Sequence, residues 1–405
     1  MNIKLNSYRI FNNLFILAIL ISLVFFCENS WSKGKIQLSD DTFLTYQLGT
    51  IDDEFLNGNV TDIQFIEGTK VLGTAKSLII KSSKKNDDNE HIVIDFLSLK
   101  GLSIYETESQ SQAELNIEEF VITDFPHFKN LINLESNNYQ AGENFSLKIN
   151  NIKFKNEFGL VNVSSIKVPK IKQDYLLSGT LFTSEMSFLI NKLSFKPNSM
   201  NMDMVPALMM LTTLGQEEFL FNLETIGKSI DKGIFIDTTS SIKINMKGGF
   251  EILFDFEFLF PTHVLEKYSG DLASNIQDKL TYNSNQFDQE LLQDLAGIQI
   301  SKLNLSLSDE GLMKPLMIMY SSNIGQNLEQ SKLSITNIIY SNLQNFMPIN
   351  AENLIIPISQ FLNSGGSLNL NISPPNPVAI MASLGLFIMP DLAFESLGVS
   401  LTHNK

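Results

Sequence analysis

One short apolar pattern recurs along this chain and constrains its fold more than any other feature. Hydrophobic residues stand at i, i+2, i+5 and i+7. The copies are Ile92/Ile94/Leu97/Leu99, Leu115/Ile117/Phe120/Ile122, Leu147/Ile149/Ile152/Phe154, Val161/Val163/Ile166/Val168, Phe188/Ile190/Leu193/Phe195 and Ile298/Ile300/Leu303/Leu305. Side chains on a strand alternate between faces, so i and i+2 point the same way. The step of three from i+2 to i+5 breaks that parity. A bulge at the middle pair restores it and keeps one face apolar; a turn there is the other solution. The copies are unevenly spaced, which argues against a solenoid of fixed period. They read as a local rule for bent, twisted strands in one large antiparallel sheet.

Around these copies the texture from Lys33 to Pro197 is β throughout, with short alternating runs parted by polar turns. The run from Ser82 to His91 reads as a solvated hairpin loop. Asp87, Asp88 and Glu90 within it lack the spacing of a calcium loop. The texture changes at Met200. Methionines 200, 202, 204, 209 and 210, with Val205, Leu208, Leu211 and Leu214, predict a helix. Asp203 is placed to cap it, Pro206 lies in its first turn and Gly215 follows it. Two readings stay open for this helix: an element packed on the sheet, or a cover over apolar surface, which adaptable methionines would suit.

Strands return over 233–244 and 249–260. In the second, Phe250, Ile252, Phe254, Phe256 and Phe258 share one register and imply a deep apolar face. Residues 266–295 are mixed, with helical spacing at Leu291, Leu292 and Leu295. A strand is expected over 298–305, helices over 312–324, 328–346 and 351–362, and a strand over 367–372. Leu333 to Tyr340 also fits a strand. The expected fold is mainly β with some α: a large twisted antiparallel sheet with a few helices packed on one side, concentrated in the C-terminal third. The expected segments are 1–32, 33–198, 199–297 and 298–405.

The N-terminus carries a destination. Lys4 and Arg9 precede the uncharged apolar run Leu14–Phe26, and Ser30-Trp31-Ser32 offers small residues at a cut after Ser32. That order is a secretory signal peptide. The run is short for a membrane span of about 20 residues, although an uncleaved anchor is the alternative. Cys27 is the one cysteine, so no disulfide scaffold is possible. An exported chain without disulfides fits a bacterial periplasm.

Charge and motif content exclude several functions. The net charge is −15 and Arg9 is the sole arginine. Such a chain has no phosphate-neutralising surface for nucleic acid. His91, His127, His263 and His403 form no zinc motif, and no GxSxG, Walker A or GxGxxG sequence occurs. No metal and no cofactor are expected. The acid pairs Asp40-Asp41, Asp52-Asp53-Glu54, Glu118-Glu119, Glu217-Glu218 and Asp309-Glu310 read as solvent charge that guards strand edges.

The C-terminal punctuation carries a resemblance. Asp309-Glu310-Gly311-Leu312, two helices, then Gly365-Gly366-Ser367-Leu368-x-Leu370-x-Ile372 and Pro374-Pro375-x-Pro377-Val378 resemble the C-terminal part of uncharacterised exported bacterial proteins. In texture the chain also resembles AsmA-like envelope proteins. That likeness implies curved sheets with an apolar groove that handles lipid between membranes. The expected function is non-catalytic: binding or shielding an apolar ligand such as lipid. The candidate lining residues are Met204, Leu208, Met209, Phe250, Phe254, Phe256 and Phe258. The alternatives are a protein–protein scaffold of the envelope with a filled core, and an acid-dependent hydrolase. The expected partner is lipid or another envelope protein, with membrane contact only through an uncleaved signal segment.

Overall fold

The computed structural model describes residues 31–32, 34–37, 42–52, 57–84, 92–105, 113–126, 145–269, 296–380 and 388–405. The apolar run Leu14–Phe26, Cys27, the Asp87/Asp88/Glu90 group, His91, His127 and Leu291/Leu292/Leu295 lie outside them. The chain is mainly β, its strands pair antiparallel, and its helices gather in the C-terminal half. Two compact units divide it, Met1–Glu157 and Phe158–Lys405.

The first unit holds β1 (Trp31–Ser32), β2 (Lys35–Gln37), β3 (Thr42–Thr45), β4 (Leu48–Ile51), β5 (Asn57–Glu67), β6 (Lys70–Lys84), β7 (Ile92–Tyr105), β8 (Glu114–Pro126) and β9 (Ser146–Asn156). Strands β5 to β9 form a meander, each paired with the next. Each of them takes the three-residue step at the same height. Asp62, Lys76, Gly101, Glu118 and Asn151 stand in one transverse row, and each misses its ladder partner. Asp62, Gly101 and Asn151, on alternate strands, have positive φ of 55°, 62° and 49°. Aspartate, asparagine and glycine are the residues that tolerate this conformation best. The row is a crease across the sheet.

The crease preserves one apolar face. Val60, Ile63 and Phe65 on β5, Ala75, Leu78 and Ile80 on β6, and Leu97, Leu102 and Ile104 on β7 are all buried. Polar residues hold the crease from the other side. Glu119 takes Lys100 at 3.4 Å and the Asn150 amide at 2.8 Å, and Glu118 accepts a hydrogen bond from the Asn151 amide. All six sequence copies carry a ladder break at the middle pair, at Asp95, Glu118, Asn151, Ser164, Lys192 and Ser301. At Asp95, Lys192 and Ser301 the register shifts, which makes a bulge; at Glu118, Asn151 and Ser164 one residue is skipped on each strand and the register is kept.

The second unit contains β10 (Gly159–Tyr175), β11 (Leu181–Pro197), β12 (Phe219–Asp231), β13 (Phe235–Met246), β14 (Phe250–Pro261), β15 (Gln299–Asp309), β16 (Gly366–Ile372), β17 (Val378–Ala379) and β18 (Val399–Asn404). From β10 to β16 each strand pairs with the next, and β18 closes the row on β16. Its helices are α1 (Val205–Leu214), α2 (Thr262–Ser269), α3 (Met313–Ile324), α4 (Leu328–Phe346), α5 (Ala351–Ser364) and α6 (Pro390–Ser396).

The change of texture at Met200 marks a helix inserted between the paired strands β11 and β12. Two sequence expectations need correction. Asp203 does not cap α1. Asn201 accepts from the Asp203 amide to cap a 3-10 turn, Met202–Met204, that leads into the helix, and Met204 at the helix N-cap makes no side-chain bond. Leu333 to Tyr340 is helical. Asn327 and Gln330 form a reciprocal capping box that starts α4 before this segment.

Candidate functional site

In the second unit the alternation separates two chemistries. Glu251, Asp255 and Glu257 of β14 lie on one face beside Lys243 of β13 and Asn304 and Lys302 of β15. The Lys243 ammonium stands 3.0 Å from Glu251. The other face is apolar. Phe254 is opposite Ile242 on β13 and Leu305 on β15, and Leu305 is in turn opposite Leu370 on β16. Phe256 is flanked by Ser240 and Leu303, and Phe258 by Thr238 and Ile300. Phe254, Phe256 and Phe258 form a file with ring centroids 5.2 Å apart at each step.

Two helices close the ends of this file. At the Phe250 end, α1 rests on the sheet through Leu211, which is buried with Phe219 and Met246. Ala207, Met210, Leu214, Phe195, Phe221 and Phe250 pack around them. At the Phe260 end, Leu176, Phe182 and Ile236 are buried, with Phe260 and Leu265 of α2 against them. Between the two ends the face is only half-buried. Phe254, Phe256, Phe258, Ile242, Leu303 and Leu370 are all intermediate, and Leu305 is 37 % exposed. In the first unit the equivalent face is closed, with Val60 and Ile94 at 0 %. Central strands normally bury such side chains fully, so the second unit leaves an apolar trough where the first builds a core. Ile252 to Phe258 spans about 20 Å along the strand at roughly 3.4 Å per residue.

Of the residues expected from sequence, Phe254, Phe256 and Phe258 line the trough and Phe250 joins the cluster under α1. Met204 and Leu208 are half-buried outside the residues that anchor the helix. Met209 is exposed on its outer side. Sequence reading missed Ile242, Leu303, Leu305 and Leu370, because only strand register places them beside the phenylalanines. It also missed the hydroxyls of Thr238 and Ser240 at the file's edge. Thr238 and Ser229 are hydrogen-bonded at 3.1 Å.

The charged groups have structural work. The Asp309 carboxylate accepts from the Gly311 and Met313 amides and caps α3, and Glu310 accepts from the Asn245 amide at 3.0 Å. On the β10–β12 portion a hollow of about 400 Å³ is lined by Lys172, Asp174, Ser184, Glu185 and Lys228. The Ser184 hydroxyl and then the Lys172 ammonium hold Asp174 below the usual carboxylate range, and Lys170 at 2.6 Å does the same for Glu185. Both side chains are well exposed, so the pairs add little stability. That little is present at neutral pH and fades as pH falls through the lowered values. An acid catalyst of the glycosidase kind needs a raised carboxyl, and both of these are lowered. Among the described residues no group of three or more His, Cys, Asp or Glu is placed to hold a metal, and no helix is long and apolar enough to cross a membrane.

Residues 244–404 match the model of a family described only as "Uncharacterized protein". The match runs from the end of β13 through the helices to β18, and so covers the segment whose motifs carried the C-terminal resemblance. No curated protein matches the chain.

Proposed function

We propose that the protein is a non-catalytic, exported envelope protein that holds an apolar ligand, a lipid acyl chain, in the trough over β13–β16. The observation that carries this reading is the contrast between the closed apolar face of the first unit and the half-open one of the second. A scaffold would gain nothing from leaving phenylalanines half-wetted, since each fully buried one contributes about 1.5–3 kcal/mol. The trough's length of about 20 Å exceeds the roughly 15 Å of one bilayer leaflet's hydrocarbon. It therefore accepts one extended acyl chain. The Thr238 and Ser240 hydroxyls at its edge suit the polar end of an amphiphile. The signal-peptide pattern at the N-terminus and the AsmA-like texture support a place in the bacterial periplasm, where such a carrier has work to do.

Titration with a fluorescent fatty acid tests the reading. Saturable binding is expected in the parent. Leu305→Glu puts a charge on the floor of the trough at a position already in contact with water. It should weaken binding about tenfold or more, because a buried unpaired carboxylate is costly, while the melting temperature changes little. Equal binding by the parent and Leu305→Glu would remove the trough as the site.

A further inference from the structure

The sheet of the second unit opens at one place. The ladder between β11 and β12 ends at Glu185 and Lys228, although β11 begins at Leu181 and β12 runs on to Asp231. Each strand stays paired on its other side there, Leu181 with Tyr175 and Asp231 with Ile236. A register shift at Ser184 bends β11 at the same height. The hollow of about 400 Å³ lies in this gap, a volume within the roughly 300–1,000 Å³ of small-molecule sites. It adjoins the polar edge of the trough. Register sets Phe258, Thr238 and Ser229 in one row across β14, β13 and β12, and Ser229 lines the hollow. With neighbouring strands about 4.8 Å apart, the hollow begins roughly 10 Å from the phenylalanine file.

Charge decides which head group such a site takes. From β12 to β15, the rows through Phe254, Phe256 and Phe258 contain no charged residue. In the hollow the charges balance: Lys170, Lys172 and Lys228 stand against Asp174, Glu185 and Asp231. Lys172 is 3.1 Å from Asp174 and Lys170 is 2.6 Å from Glu185. Asp231 accepts from the Gly233 amide at 2.7 Å. Lys228 is left as the lining ammonium outside an ion pair among the described residues. An anionic head would meet as many like charges as opposite ones, and so would a cationic head. A sugar hydroxyl both donates and accepts, so a polyol finds acceptors at the carboxylates and a donor at Lys228. Tyr175, 50 % exposed on the same lining, adds an aromatic side chain that suits the apolar C–H side of a sugar ring.

We infer that the hollow between β11 and β12 holds the uncharged sugar head of a glycolipid whose acyl chain lies in the trough. The inference rests on the trough reading and names the class of ligand for it. Lys228 and Tyr175 recognise the head, and the Thr238 and Ser229 hydroxyls line the way between head and chain.

The test is a calorimetric titration with amphiphiles of one chain length and different heads, decyl maltoside, decyl phosphate and decanol, each below its micelle concentration. The parent should bind decyl maltoside about tenfold more tightly than either of the others, because only the maltose head finds hydrogen-bond partners in the hollow. Lys228→Ala should weaken decyl maltoside about tenfold, the worth of one hydrogen bond from a charged donor. Its side chain is exposed, so the melting temperature should change little. Tyr175→Ala should also weaken decyl maltoside more than decanol. Equal affinities for the amphiphiles, a lead for decyl phosphate, or a maltoside lead that Lys228→Ala leaves in full would overturn the inference while the trough stands. Maltoside binding that Leu305→Glu leaves unchanged would instead remove the trough, and with it the place for the chain.

Discussion

Replacing Phe65 by alanine will lower the stability of the first unit by about 3–5 kcal/mol, the range for removing a buried phenylalanine ring. Phe65 is 1 % exposed and among the largest fully buried side chains described. It sits on β5 between Leu44 of β3 and Gly73 of β6, just past the crease at Asp62. Ile63 and Val60 share its face, so the deleted ring leaves a cavity in a surface that backbone pairing prevents from collapsing. Urea unfolding followed by circular dichroism will read the loss as a lower midpoint for the first-unit transition. Val71→Ala on the neighbouring strand, where the side chain is 39 % exposed, should stay within about 0.5 kcal/mol of the parent. Equal losses from the two would mean that the apolar face of β5–β9 is not a core.

The second large effect separates the two sides of α1. Leu211 is 2 % exposed between Phe219 and Met246. Leu211→Ala should cost about 2–5 kcal/mol. Met209, two residues earlier on the outer side, should cost less than about 0.5 kcal/mol when cut to alanine. Thermal melts of both variants measure the difference. Near-neutral behaviour at Leu211 would make the helix a loosely held cover. A heavy cost at Met209 would mean that its outer side is packed. Hydrogen exchange over 205–214 provides a second reading, because an element docked through Leu211 opens only with the strands beneath it.

Much of this architecture was legible in the sequence, for local reasons. The i, i+2, i+5, i+7 pattern located six ladder breaks, because pairing must be interrupted wherever an apolar face skips a residue, by a bulge at three of them and by a skipped residue on each strand at the others. The methionine-rich helix, its terminal glycine and the paired helices after Gly311 followed from spacing and caps. The unbroken alternation of Phe250 to Phe258 revealed the floor of the trough. What stayed hidden depends on which strand pairs with which. Alignment of Asp62, Lys76, Gly101, Glu118 and Asn151 into one crease requires four registers, and no residue of β5 announces its height relative to β9. The rest of that floor, Ile242, Leu303 and Leu305, was hidden for the same reason. Helix α6 and strand β18 escaped notice because Pro390–Ser396 and Val399–Asn404 are too short to show a period. The capping role given to Asp203 failed because the 3-10 turn ahead of α1 moves the helix start to Val205.

The account rests on the trough being an occupied lipid site and not an unfilled core. Mass spectrometry of the intact protein, purified gently from the cells that make it, tests that most directly. The account expects one co-purifying acyl-chain lipid per protein in the parent and its loss in Leu305→Glu, with the fold of both confirmed by circular dichroism. A parent that emerges folded and free of lipid, or a lipid retained equally by Leu305→Glu, would contradict it.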